Sequence, residues 1–98
     1  MYVKYQIGGK DMGCKPVTFK DVTPDVFGCM KKKLQKNGVN VPQGKKGGLS
    51  GRGVFADYEW DGVSKLTVTI TEKPFIISCG ELERKIKGFV KQCQRASN

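Results

Sequence analysis

Apolar and polar residues alternate at the start of the chain. Val3, Tyr5 and Ile7 oppose Tyr2, Lys4 and Gln6, the period-two signature of a half-buried strand over Tyr2 to Ile7, which Gly8 and Gly9 end. Residues 10–21 leave two readings open: Val17, Thr18 and Phe19 form a short strand, or they belong to an anchored loop that tucks Phe19 into the core. At Thr23 the pattern changes to a helical period. Thr23 is an N-cap, Pro24 fits the first helical position, and Asp25 places a negative charge in the first turn. Val22 and Phe27 are spaced for a hydrophobic staple across that cap. Val26, Phe27, Met30 and Leu34 share one face, and Gly38 suits a left-handed C-cap just after Asn37.

From Val41 to Gly53 the run VPQGKKGGLSGRG carries five glycines, enough to keep much of it a loop. A hairpin follows. Val54, Ala56, Tyr58 and Trp60 alternate with Phe55, Asp57 and Glu59; Asp61-Gly62 supplies the turn; Leu66, Val68 and Ile70 return against Thr67, Thr69 and Thr71. Pro74 interrupts this pattern, so Phe75 to Ile77 are expected as a kinked extension or a short edge strand. Ser78 and Glu81 spell a capping box for a last helix, whose Leu82, Ile86, Phe89, Val90 and Cys93 form a narrow apolar stripe. Arg84, Lys87, Lys91 and Arg95 point the other way.

Two amphipathic helices and a sheet with a Thr, Asp and Glu outer face define an α+β fold. The expectation is an antiparallel or mixed sheet of three to four strands with two helices on one face, in the order β-α-β-β-(β)-α. Ninety-eight residues make a single domain, 1–98.

Charge changes the picture more than composition does. Eighteen Lys and Arg stand against nine Asp and Glu, a formal net charge of +9. Between Asp25 and Asp57 lie Lys31, Lys32, Lys33, Lys36, Lys45, Lys46 and Arg52 with no acidic residue among them. Such a concentration of positive potential selects for an anionic partner. Gly44-Lys45-Lys46-Gly47 sharpens this, because a GxxG turn with basic centres is how KH domains clamp a single-stranded nucleic-acid backbone. In that family a helix follows the loop, whereas here GLSGRG runs into a strand. A mobile, solvated loop and a solvated helix face are the plain alternatives.

The candidate anion or nucleic-acid site is therefore Lys32, Lys36, Gly44, Lys45, Lys46, Gly47 and Arg52. Phe55, on the strand face it shares with Asp57 and Glu59, is either covered by residues 10–21 or part of a homodimer interface. Catalysis is not expected. The chain has no histidine, and Asp57 and Glu59 lie on an open sheet face that offers nothing to shift their pKa values.

No stretch is long and apolar enough for a membrane span, and no basic-then-apolar signal pattern opens the chain, so a cytoplasmic location is expected. Cys14, Cys29, Cys79 and Cys93 contain no Cys-x-x-Cys spacing, and without histidine no metal site or cofactor is expected. In a cytoplasmic protein these cysteines read as reduced, with Cys29 and Cys93 serving as small core residues and Cys79 as a structural one.

The second half, from GLSGRGVFADYEWDG through KLTVTITEKPFIISCGELERKI, resembles small uncharacterised bacterial α+β proteins that join a Gly-rich entry, a hairpin, a Lys-Pro-aromatic step and a terminal helix. It also resembles, more distantly, the polyhydroxyalkanoate granule-associated regulatory family, which has a similar strand-hairpin-helix finish. The first resemblance implies a fold and no activity; the second implies a granule-associated or surface-associated regulatory role. Beside these, the residues themselves support a non-enzymatic binding module for an anionic partner, or a structural, dimerising domain with no nucleic-acid role.

Overall fold

The computed structural model of the protein describes residues 10–97, so the strand expected over Tyr2 to Ile7 lies outside the described residues. Within them the order is β1 (Lys10–Met12), β2 (Val17–Phe19), α1 (Pro24–Lys36), β3 (Lys46–Gly51), β4 (Val54–Trp60), β5 (Leu66–Pro74) and α2 (Cys79–Ser97). All pairings are antiparallel. β1 and β2 lie end to end along one edge of β5, so the sheet is four strands wide in the order β1/β2, β5, β4, β3.

Local chemistry accounts for the helix ends. Thr23 Oγ1 accepts the Val26 N–H at 3.4 Å with Pro24 in the first turn, and Gly38 takes φ 84° after the C-cap Asn37. The capping box of α2 closes reciprocally: Ser78 Oγ accepts from Glu81 N and Glu81 Oε1 accepts from Ser78 N, each at 3.1 Å.

The hairpin of β4 and β5 forms as its alternation predicts. Ala56, Tyr58, Leu66, Val68 and Ile70 are buried on one face with Val26, Phe27 and Met30 of α1 and Val90 and Cys93 of α2, so both helices cover that face. Trp60 stacks on Phe27 with ring centroids 4.3 Å apart, and its Nε1 donates to Val22 O at 2.8 Å, fastening the entry of α1 to the hairpin. At the turn, Asp61 Oδ1 accepts the N–H groups of Val63, Ser64 and Lys65 at 2.8, 2.8 and 3.0 Å. Those three donors hold its carboxyl below the usual carboxylate range.

Expectations for the glycine-rich run, Phe75 to Ile77 and the cysteines are corrected, and one open reading is settled. The Gly-rich run is not all loop, because Lys46–Gly51 is strand β3. Its glycines permit close approach: residues 38–42 double back along the strand, with Asn40 N donating to Ser50 O at 2.7 Å, and a Cβ at Gly51 would sit 2.8 Å from Gly38 O. The Val17–Phe19 ambiguity resolves as a strand paired with β5. Pro74 does not break β5 but terminates it, and Phe75 to Ile77 form a turn, with Ile77 N donating to Pro74 O at 3.1 Å.

The cysteines expected to be reduced are paired. Cys14 bonds Cys79 and Cys29 bonds Cys93, with Cα separations of 5.8 and 5.7 Å, inside the range a disulfide spans. Partners 65 and 64 residues apart leave no local spacing motif. Both bonds hold α2: one fastens its first residue beside the β1/β5 edge, the other fastens its fourth turn to α1.

Two outcomes are expected. Replacing Cys29 and Cys93 together by serine removes a 64-residue cross-link and should cost about 4 kcal/mol of stability, read from the urea midpoint; a loss below about 1 kcal/mol would show that the link constrains little. For Asp61 the folded pKa is depressed below its ordinary 3.8, so its stabilisation is present above that value and is lost as pH falls through the folded pKa. Asp61→Asn should therefore lower the melting temperature at neutral pH and flatten its decline in acid. Parallel melting curves for the two proteins would contradict this.

Candidate binding site

The apolar stripe of α2 is unevenly buried. Val90 and Cys93, near the link to α1, are 4% and 0% exposed, whereas Leu82, Ile86 and Phe89 are half-buried. Leu34, Leu49 and Val54, on the elements facing them, are also half-buried. Between these residues lies a cavity of about 450 Å³, within the size range of small-molecule sites. Ala56, Tyr58, Val68 and Ile70 of the sheet form its floor, Phe27, Met30 and Leu34 of α1 a wall, and Leu82, Ile86 and Phe89 of α2 its roof. α2 is fastened by a disulfide near each end, and the half-buried Leu82, Ile86 and Phe89 lie between the two links.

Three cations border this apolar space, Lys31, Arg52 and Lys85, with one carboxylate, Glu81, which the capping box already engages. Arg52 and Gly53 form the two-residue turn from β3 to β4 at φ 55° and 81°, a turn that ordinarily favours Asn and Gly. Arg52 is held there by its side chain, whose Nε donates to Asn37 O at 3.0 Å, at the negative end of the α1 dipole. Its terminal guanidinium nitrogens have no hydrogen-bond acceptor among the described residues.

At the opposite end of β3, the Tyr58 hydroxyl lies 2.9 Å from Gly44 O and 3.1 Å from Pro42 O, and Lys31 Nζ donates to Gly44 O at 3.1 Å. Lys31 also sits 4.8 Å over the Phe27 ring. Burial pushes the Tyr58 phenol above its usual pKa, keeping it a donor that closes this end of the cavity.

The residues predicted as an anion site are only partly brought together. Lys32 and Lys36 are exposed on α1 and do not line the cavity. Gly44 takes φ 106° in the bend before β3, and Lys45 lies along Gly62. Lys46 and Gly47 are strand residues opposite Glu59 and Tyr58, so the GKKG run is a bend entering a strand rather than a turn before a helix. Arg52 is at the far end of β3, roughly 20 Å from Lys46 at the usual rise per residue. Phe55, 41% exposed, occupies the outer sheet face, opposite the cavity.

Lys85 was missed by the charge-run argument, because it joins the cavity border only through the placement of α2. Among the described residues, no group of three or more His, Cys, Asp or Glu is placed to hold a metal ion, and no helix is long and apolar enough to cross a membrane. No family model, curated protein or solved structure matches the chain.

An underfilled space makes a specific prediction about overpacking. Enlarging a packed core residue normally costs about 1–3 kcal/mol. Val54→Phe, aimed into the cavity, should leave the melting temperature unchanged or raised, whereas a fall comparable to that of an ordinary core insertion would show that the space is already filled.

Proposed function

We propose that the protein is a non-enzymatic binding module for an anionic amphiphile: a single apolar chain enters the cavity beneath α2 and its anionic head meets Arg52 and Lys85 at the mouth. The observation that carries this reading is the apolar space of about 450 Å³ bordered by three cations. An apolar interior with a few convergent polar groups is the usual form of a small-molecule site, and the sign of those groups selects a carboxylate or a phosphate over a neutral or cationic head. Binding rather than catalysis is favoured because the polar groups at the site have structural duties: the Tyr58 hydroxyl and Lys31 ammonium hold Gly44, and Glu81 caps α2.

Two disulfides favour an oxidising compartment over the cytoplasm. Free-thiol titration of protein purified from its native source under alkylating conditions tests this, with no reactive thiol expected.

Dodecanoate is the probe for the cavity. Calorimetry should show stoichiometric binding that weakens about tenfold in an Arg52→Glu, Lys85→Glu double variant, as expected for loss of charge-assisted hydrogen bonds to the head. Val54→Phe should abolish it. Wild-type protein that takes up no dodecanoate, or a Val54→Phe variant that binds it normally, would overturn the reading.

A second reading rests on a separate observation. The contact of Lys31 with the Gly44 carbonyl brings α1 beside the bend that carries Lys45, while the neighbouring Lys46 faces the outer side of the sheet. Single-stranded nucleic acid is the anionic partner these lysines would serve. Binding of a labelled oligonucleotide should then weaken steeply with salt and with Lys45→Glu plus Lys46→Glu; no binding at low salt would dismiss it. Self-association through the Phe55 face is compatible with either reading, since that face lies across the sheet from the cavity.

A further inference from the structure

We propose that the turn carrying Phe75 and Ile76 seats the protein on an anionic lipid bilayer, with the cavity mouth facing the membrane. Phe75 is 65% and Ile76 80% exposed, the two most exposed large apolar side chains of the described residues except Val63. They are adjacent, and the turn that carries them is firmly held. It follows the last paired residue of β5, closes through the 3.1 Å bond from Ile77 N to Pro74 O, and ends at the Ser78 cap and the Cys79 disulfide. Two large apolar side chains presented to water on a braced turn need no ordering on insertion. They have the form of a wedge that enters the headgroup region.

The surroundings supply the charge that an anionic surface attracts. The turn bearing Arg52 packs against the base of this tip, because a Cβ at Gly53 would lie 3.3 Å from Pro74 Cγ. Arg84 and Lys85 follow in the first turns of α2. Against these, Glu81 is tied into the capping box and Glu83 is exposed beside them, and the whole chain carries a formal +9. Ile77, next in the chain after the wedge, lines the cavity, as do Arg52 and Lys85. The wedge, the cations and the entrance therefore share one end of the molecule, and a bilayer contacting the tip would present its acyl chains at the entrance.

Vesicle sedimentation tests the proposal without depending on what the cavity holds. Wild-type protein should bind vesicles of phosphatidylcholine with 30% phosphatidylserine, and a Phe75→Ser, Ile76→Ser variant should bind about tenfold or more weakly. Because both side chains are exposed, that variant should keep its melting temperature and its affinity for monomeric dodecanoate, which separates failure of docking from failure of the cavity reading. A second variant, Ile76→Trp, should show an emission blue-shift with these vesicles and quenching by lipid carrying a mid-chain nitroxide. Absence of wild-type binding, or equal binding by the Ser variant, would overturn the proposal, as would equal binding to vesicles of phosphatidylcholine alone.

Discussion

Helix α2 crosses the molecule as a beam fastened near both ends, and the covalent bonds Cys14–Cys79 and Cys29–Cys93 are the fastenings. Hydrophobic collapse alone would draw an amphipathic helix down until its stripe was buried. Here Val90 and Cys93 are buried beside the link to α1, and the link at the first residue of α2 fixes the other end beside the β1/β5 edge. Leu82, Ile86 and Phe89 are left facing a gap. The same bonds that compensate for the small core of a short chain thus account for the space inside it.

Around that gap the remaining structure is organised as two braces. At one end of β3, Tyr58, Lys31 and the Gly44 carbonyl bind the bend before the strand to both the sheet and α1. At the other, the left-handed Arg52 spans from the hairpin tip to the last carbonyls of α1. An arginine is unusual in that backbone position, and its side-chain bond to Asn37 supplies a physical reason for it. The arrangement turns a structural residue into a charge at the entrance, with guanidinium nitrogens directed at no described acceptor.

Much of the fold was legible in the chain, and the reasons differ by element. Thr23-Pro24-Asp25 and the Ser78/Glu81 box mark helix starts by short-range hydrogen bonding, which sequence reports directly. The β4–β5 hairpin is equally local. β3 was hidden because glycine ordinarily signals a loop; at Gly47 and Gly51 it instead allows residues 38–42 to lie against a strand, a long-range demand that no window of residues contains. Pro74 misled for the converse reason, since it stands at the last position of β5, where its missing N–H interrupts no further pairing along the strand.

The candidate site was less legible. The run of cations was visible, but which of them converge depends on the disulfides, whose partners lie 65 and 64 residues apart. Reading the cysteines as reduced removed two long-range constraints on the placement of α2, which brings Lys85 to the cavity that Arg52 also borders. The measurement that tests the central claim most directly is an isotope-filtered NOE experiment on methyl-labelled protein with unlabelled dodecanoate. The account predicts contacts from the acyl chain to the methyl groups of Leu49, Val54, Leu82 and Ile86, and none to Val63. Contacts confined to Val63 and the exposed Ile76, with the cavity methyls silent, would contradict it.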